Sequence, residues 1–315
     1  MIISASRRTD IPAFYSDWFV QRLREGFVYV RNPMNFRQVS YISLKPEVVD
    51  CIVFWTKNAL PLLTKLPVID AMGFAYYFQF TITPYDTKLE RHVPAKQEII
   101  ESFKRLSETI GKERVVWRYD PVLITETFSV SKHMEYFSDL CRSLRDYTER
   151  CVFSFVDVYG KLKRKQQEGT VINALDNGAR QAIARGFADI ARENRLILQV
   201  CAEDLERQRY DISEAACIDR EIIETVTGYN LKPKKDNNQR SGCHCLESVD
   251  IGAYNSCRHG CSYCYAVADD VAACKNAAYH QIHSPLLLGQ LEAGDRVTQR
   301  KVTVLRDKQE MLFEL

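Results

Sequence analysis

The chain has 315 residues, of which 46% are hydrophobic, and its 43 basic residues nearly balance its 41 acidic ones for a net charge of +2. This length and composition exclude a disordered or fibrous protein and fit one large α/β domain or two smaller ones. The small net charge excludes a strong global field for nucleic acid or an anionic membrane. The sequence has no basic leader and no long uninterrupted apolar stretch, so we expect a soluble, cytoplasmic protein without a membrane partner.

Short apolar segments alternate along the chain with longer segments of helical periodicity. This βαβα order is typical of a mainly parallel sheet with helices outside it. Because there are seven such units, we predict a parallel (β/α) TIM-type barrel of the α/β class in a single domain, residues 1–315. The predicted strands are residues 2–6, 51–56, 75–83, 115–120, 151–156, 196–201 and 249–254.

Three amphipathic helices are predicted between these strands. The first opens at Pro94 and stops at Gly111, and Ser131 is the predicted N-cap of the second. The third carries Ile183 and Phe187 on its apolar face.

A polar, linker-like run at residues 232–240 precedes the cysteine-rich part of the chain. We expect residues 241–275 to form a cluster-binding region that completes the barrel. Barrel strands are cyclically ordered, so the last strand can pair with the first.

The most informative motif consists of Cys257, Cys261 and Cys264, which are separated by three and then two residues. A random arrangement of the chain's cysteines produces this spacing with a chance of about one per cent. Three thiolates can hold three corners of a [4Fe-4S] cluster and leave one iron open to a small molecule. The alternative is a closed zinc site that also draws on nearby soft ligands, namely Cys243, His244, Cys245 and His259.

The remaining cysteines are interpreted separately. Cys243 and Cys245, with Cys217 and Cys274 at larger separations, are candidates for a second metal site, although a single intervening residue is an awkward spacing for one cubane. Four others lie in apolar segments and are expected to be buried, reduced core thiols: Cys51, Cys141, Cys151 and Cys201.

Polar residues at strand ends are the candidates for the rest of a site, because parallel barrels work at the carboxyl ends of their strands. Gln79 and Thr81 share one face of a strand and could line a lumen or hydrogen-bond to each other inside a filled barrel. Arg118 and Asp120 could orient a carboxylate or ribose, or form a structural ion pair. Further pocket candidates follow other strands: Lys57, Asn58, Asp157, Tyr159, Glu203 and Asp204.

Two sets of basic residues could hold anions. Arg7 and Arg8 follow the first strand and suit a phosphate or carboxylate, or one of them pairs with a neighbouring helix. A basic loop could contact nucleic-acid phosphates or be a solvated loop, and it contains Lys161, Lys163, Arg164 and Lys165.

The cysteine loop resembles that of radical S-adenosylmethionine enzymes. Its flanks, Tyr254, residues 259–260 and residues 263–266, are similar to the branch related to spore photoproduct lyase. Over its whole length, the chain resembles an uncharacterised bacterial family, domain-of-unknown-function family 1848. The segments that carry this second resemblance are residues 4–10, 117–121 and 249–252.

The radical S-adenosylmethionine resemblance implies that the three loop cysteines ligate a [4Fe-4S] cluster and that Tyr263 lies along the adenine of S-adenosylmethionine. Arg7 and Arg8 are then candidates for its carboxylate. It also implies reductive cleavage of S-adenosylmethionine, with electrons from a low-potential donor such as flavodoxin or ferredoxin, to start radical chemistry on an unknown substrate.

These enzymes usually carry the motif after the first barrel strand, whereas here it follows the seventh predicted strand. The resemblance therefore implies a circularly permuted barrel. The alternative function is a non-enzymatic nucleic-acid-binding or regulatory protein that zinc or an iron–sulfur cluster stabilises.

Overall fold

The computed structural model describes residues 1–156, 175–232, 234–236, 239 and 242–307. The strands there are β1 (Ile2–Ala5), β2 (Phe27–Asn32), β3 (Asn35–Ser43), β4 (Cys51–Thr56), β5 (Tyr76–Thr81), β6 (Val115–Val122), β7 (Arg150–Phe155), β8 (Ile197–Val200), β9 (Ser213–Glu214), β10 (Ser248–Asp250) and β11 (Arg296–Gln299). The helices are α1 (Ile11–Phe14), α2 (Ser16–Glu25), α3 (Leu60–Leu63), α4 (Leu66–Ala71), α5 (Lys96–Ile110), α6 (Val130–Leu144), α7 (Asn177–Glu193), α8 (Arg220–Thr227) and α9 (Asp270–Ala277).

Eight strands form one parallel sheet in the order β10-β1-β4-β5-β6-β7-β8-β9. The predicted α/β class with a large parallel sheet is therefore confirmed, and each of the seven predicted strands corresponds to one of these eight. Ile3 of β1 lies opposite Val249 of β10 on one side and Ile52 of β4 on the other. The predicted pairing of the last strand with the first is thus confirmed.

The two ends of the sheet approach each other without forming a ladder. In the described part of the chain, the sheet order ends at β9 and β10, and these two strands are not paired. One backbone hydrogen bond crosses the gap, from Leu246 N to Ile218 O at 3.1 Å. We call this gap the seam.

Both faces of the sheet are buried, as expected for a parallel sheet with near-continuous apolar strands. On β5, Tyr76, Phe78 and Phe80 point to the helices and join the larger core, as their alternation predicts. Tyr77 points to the opposite face, where a second core packs against α8. The sheet therefore packs against a separate apolar core on each face.

Three strands that were not predicted form a separate sheet in the order β11-β3-β2. The pairing of β2 with β3 is antiparallel, and β11 joins β3 in parallel. Much of β3 and all of β11 are exposed, and polar, exposed strands do not produce the apolar runs on which the strand prediction depends. The strand β2, in contrast, is partly buried and begins with the apolar run 27–30, a strand signal that the prediction missed.

The three predicted helices are present as α5, α6 and α7. The predicted N-cap of α6 was wrong by two residues: Ser129, not Ser131, accepts from a backbone N–H of the first turn, that of Lys132. Helices α6 and α7 pack through the stacked rings of Phe137 and Phe187, whose centroids lie 4.0 Å apart. None of the described helices is long and apolar enough to cross a bilayer.

His133 on α6 is a fully buried histidine whose two ring nitrogens both have partners. Its Nδ1 lies 2.7 Å from Tyr119 Oη, and its Nε2 lies 2.9 Å from Leu123 O. Burial lowers the pKa of His133, although the bond to Leu123 O partly opposes this. The ring is therefore neutral in the folded protein.

We expect His133 to make the fold sensitive to mild acid. The unfolded chain takes up a proton near pH 6.5 and the folded chain at lower pH, so stability falls as pH decreases below about 6.5. In His133→Gln, the free energy of unfolding, measured with urea at pH 7.5, 6.5 and 5.5, should depend less strongly on pH than in the wild-type protein. The exposed His283→Gln is the control, and an unchanged slope in His133→Gln would contradict this assignment.

Candidate functional site

A cavity of about 500 Å³ opens at the carboxyl ends of the parallel strands. Its volume lies in the range typical of small-molecule sites, and its position matches the working face of parallel α/β folds. The walls come from the ends of β1 and β4 to β9 and from the cysteine loop. Apolar groups contribute much of the surface, among them Trp55, Pro121, Phe155, Val156 and Ala266.

The cysteine loop, residues 255–266, is fastened to the fold by backbone hydrogen bonds. Its ends are joined by the bond from Asn255 N to Ala266 O at 2.8 Å. Its middle is joined to the segment after β5 by the bond from Ser262 N to Leu89 O, also at 2.8 Å. Tyr15 Oη donates to the carbonyl of Ser256 at 2.7 Å. The loop therefore has a defined path along the cavity wall.

Cys257, Cys261 and Cys264 all line the cavity, as predicted for a shared site. Burial raises the pKa of the Cys257 thiol, and the Asp10 carboxylate raises it too. Burial also raises the pKa of the Cys261 thiol to about 12, although the nearby Lys57 opposes this. These two groups are therefore protonated thiols at neutral pH unless a metal ion displaces their protons.

All eleven cysteines lie in the described part of the chain, and none of them is disulfide-bonded there. The predicted burial of Cys51, Cys141, Cys151 and Cys201 is confirmed, although Cys201 also lines the cavity. Among the described residues, no three His, Cys, Asp or Glu side chains already surround one point as ligands of a single ion. The zinc set with His244 is not gathered: His244 Nε2 lies 2.8 Å from Glu214.

His259 within the loop is held by Asp10, a residue that follows the first predicted strand in the sequence. His259 Nε2 lies 2.7 Å from Asp10 Oδ2, and the same carboxylate accepts from Thr56 Oγ1 at 2.8 Å and Lys57 N at 2.7 Å. Because an ionised carboxylate only accepts, Nε2 carries the proton. His259 Nδ1 is buried without a protein partner. Asp10 thus joins β4 to the cysteine loop.

Asp250 at the end of β10 fixes the end of β1. Its carboxylate accepts from Ser4 Oγ at 2.8 Å, from Ser6 Oγ at 2.7 Å and from Arg7 N at 2.8 Å. A Cβ at Gly252 would overlap the Ser6 side chain, so only glycine fits this approach. Two of the segments that carry the family resemblance, 4–10 and 249–252, therefore meet here.

Arg7 and Arg8 both line the cavity, as predicted. The Arg7 guanidinium lies 5.2 Å from the centroid of the Trp55 ring, and its Nη2 is buried without a protein partner. The Arg8 guanidinium lies 5.0 Å from the centroid of the Tyr254 ring, and its Nε is 3.9 Å from Asp250. Arg7 is thus the better placed of the two to receive an anionic group.

Tyr263 hydrogen-bonds to a buried cluster of charged residues that the sequence did not predict. Glu90 is 1% exposed and forms ion pairs with Lys57, at 2.7 Å, and with Lys96. Tyr263 Oη donates to the same carboxylate, and Thr83 Oγ1 donates to it at 2.6 Å. Burial opposes ionisation, but the two lysines lower the pKa of Glu90 to about 2. The Tyr263 ring is consequently held in one orientation beside the cavity.

Gln79, Arg118 and Asp120 form one network, which includes the structural ion pair weighed from the sequence. Arg118 pairs with Asp120 and donates from Nη1 to Gln79 Oε1 at 3.2 Å and to Cys217 Sγ at 3.0 Å. Gln79 Nε2 donates to Cys217 O at 3.1 Å, so this side chain is satisfied within the fold. Arg118, Asp120 and Thr81 line the cavity.

Three other predicted candidates that the structure describes, Asn58, Glu203 and Asp204, do not line this cavity. Asn58 Oδ1 accepts from Leu60 N at 3.1 Å, at the start of α3. Glu203 and Asp204 line a separate, smaller cleft beside β8. Asp157, Tyr159 and the basic residues Lys161, Lys163, Arg164 and Lys165 lie outside the described residues.

A family model with the description "Domain of unknown function (DUF1848)" matches residues 2–266. The chain belongs to this family. The matched region includes the parallel sheet, the cysteine loop and the cavity, and its description assigns no activity.

No curated protein matches the chain. One solved structure, titled as a "putative alpha-L-fucosidase" from Bacteroides thetaiotaomicron, is 10% identical over 76% of this chain and 86% of that chain, with a TM-score of 0.27. A similarity this weak supports no argument about fold or activity.

Proposed function

We propose that this protein is a radical S-adenosylmethionine enzyme that acts on an unidentified substrate. Cys257, Cys261 and Cys264 would hold one [4Fe-4S] cluster, and S-adenosylmethionine would bind beside it in the cavity. The observation that carries the proposal is that all three loop cysteines and Arg7, whose buried Nη2 has no partner, line one cavity at the carboxyl ends of parallel strands.

The residues present suit such a cluster in number and in setting. Three thiols from one loop leave one iron without a protein ligand, and the cavity provides room beside them. When bound, the cluster would supply an electron from a low-potential donor such as flavodoxin or ferredoxin to cleave S-adenosylmethionine. Apolar walls that include Trp55 and Phe155 would limit the access of water to reactive species.

The side chains around the loop have binding and positioning roles in this proposal. The Arg7 guanidinium would receive a carboxylate, since its Nη2 has no partner in the fold. The Tyr263 ring, fixed through Glu90, would offer its face to the adenine. His259 would hold the loop through Asp10 and could donate from Nδ1 only as the imidazolium.

We further propose that the sheet is a circularly permuted barrel. In this interpretation β10 corresponds to the first strand of a radical S-adenosylmethionine barrel, and the cysteine loop follows it directly. The parallel pairing of β10 with β1 supports the permutation, and the hydrogen bond from Leu246 to Ile218 supports an approach of the two sheet ends at the seam.

The proposal is tested by anaerobic purification of the full chain, followed by counts of iron and sulfide and by incubation with dithionite and S-adenosylmethionine. We expect about four irons per loop site and formation of 5′-deoxyadenosine. Iron and sulfide without the nucleoside would reject the enzymatic part of the proposal and favour a regulatory iron–sulfur protein. Zinc without iron would reject the proposal altogether.

A further inference from the structure

Four cysteines outside the loop are brought together at the seam. Cys201 follows β8, Cys217 follows β9, and Cys243 and Cys245 precede β10. All four line the cavity wall, and each is less than a tenth exposed. From the sequence, Cys217 was considered with Cys243 and Cys245 only as a cysteine at a larger separation, and Cys201 was predicted to be a core thiol.

The contacts among these thiols are direct. Cys201 Sγ lies 3.9 Å from Cys217 Sγ, and Cys217 N donates to Cys245 Sγ at 3.2 Å. The neighbouring thiols of Cys217 and Cys243 also raise the pKa of the Cys245 thiol. The sulfur atoms therefore form a continuous group from one edge of the sheet to the other.

We infer that Cys201, Cys217, Cys243 and Cys245 form a second site, distinct from the cysteine loop, for a thiophilic metal centre that joins the two edges of the sheet. Four thiolates are the ligand set of structural zinc ions and of iron–sulfur clusters. With four protein ligands, either centre has no open coordination position for a substrate, and a zinc ion there would be structural.

The distances are compatible with such a centre. A tetrahedral zinc ion with Zn–S bonds of about 2.3 Å places its sulfur ligands about 3.8 Å apart, close to the 3.9 Å between Cys201 and Cys217. The four thiols do not yet surround one point. A cysteine side chain moves its sulfur by rotation about one bond, so we expect metal binding to change the rotamers of these side chains.

The charges around the site also fit. Four thiolates with a zinc ion, or with a [4Fe-4S]²⁺ core, carry a net charge of −2. Arg118 donates to Cys217 Sγ at 3.0 Å, and the charge of Arg7 interacts with Cys217 and Cys245. Two guanidiniums therefore offset the negative charge. The N–H groups of Arg118 and of the Cys217 backbone donate to sulfur atoms of the site, and such hydrogen bonds stabilise metal-bound sulfur.

The test compares metal content among full-length variants purified anaerobically. A loop variant, in which Cys257, Cys261 and Cys264 are replaced by alanine, should retain about one zinc, or about four irons with sulfide, per chain. A seam variant, Cys217→Ser with Cys245→Ser, should lose that same complement. The control Cys274→Ser changes an exposed cysteine on α9 and should keep the wild-type content.

X-ray absorption on the loop variant gives a second readout that does not depend on folding of the seam variant. A sulfur-only shell at about 2.3 Å is expected, and iron–iron scattering would identify a cluster instead of zinc. A loop variant without zinc or iron, a shell of nitrogen or oxygen, or a Cys201–Cys217 disulfide in metal-free protein would each overturn the inference. Failure of the loop site alone leaves these readouts unchanged, so the two proposals fail separately.

Discussion

Replacement of Cys257, Cys261 and Cys264 together by alanine is expected to lower the iron content by about four per chain and to abolish 5′-deoxyadenosine formation. The reason is that an iron–sulfur cluster is held by cysteine thiolates, and the variant leaves none of the three in the loop. Single replacements should also abolish cleavage, because two thiolates would leave the cluster with too few anchors.

The matched control is Cys274→Ala, which removes a cysteine that lies on the exposed side of α9 and outside the cavity lining. It should leave iron content and nucleoside formation at wild-type levels. The loop variant should remain folded, since the loop is fastened through backbone bonds such as Ser262 N to Leu89 O at 2.8 Å. Nucleoside formation that survives loss of all three thiols would refute the assignment of the loop.

The strands of the large sheet were predictable because parallel strands buried on both faces are nearly continuous apolar runs. The segment 51–56 is such a run, and it is β4. The strands β2 and β3 were missed because their stability comes from pairing with each other and from ring contacts. Phe27 stacks on Tyr41 with ring centroids 5.3 Å apart, a contact that single-segment periodicity does not show.

The candidate site was predictable only where its residues are close in sequence. The spacing of Cys257, Cys261 and Cys264 indicated a shared site, and all three open on one cavity. Glu90 gave no such signal, and Cys217 was noted only as a cysteine at a larger separation, since their partners come from other strands and loops. The fold brings Cys217 beside Arg118, with a sulfur-to-nitrogen distance of 3.0 Å.

Glu90→Gln is expected to destabilise the fold by about 3 kcal/mol at pH 7. The change removes the only negative charge between two lysines, of which Lys57 is 12% and Lys96 33% exposed. Breaking a buried ion pair typically costs about 3–5 kcal/mol, and the partial exposure of Lys96 favours the lower end. Urea unfolding measures the effect, with the exposed Glu108→Gln on α5 as the control, for which less than about 0.5 kcal/mol is expected.

The pH dependence provides an independent check on this value. The folded pKa of Glu90 is about 2, against an ordinary value of 4.5. A carboxylate with a lowered pKa stabilises the fold above the unfolded pKa, and this contribution is lost as pH falls from about 4.5 to about 2. A shift of this size corresponds to about 3 kcal/mol. The free energies of unfolding of the wild-type protein and Glu90→Gln should therefore converge as the pH falls into this range. Free energies that stay parallel across these pH values would contradict the assignment.

A second substitution tests which lost interaction causes the destabilisation in Glu90→Gln. If Glu90→Gln destabilises the fold because it leaves Lys57 as an unpaired buried ammonium, Lys57→Met in the same chain should restore part of the stability. Methionine fills similar volume without a charge, and the remaining Lys96 can turn toward solvent. A double variant no more stable than Glu90→Gln would instead assign the loss to the hydrogen bonds that Glu90 accepts from Thr83 and Tyr263.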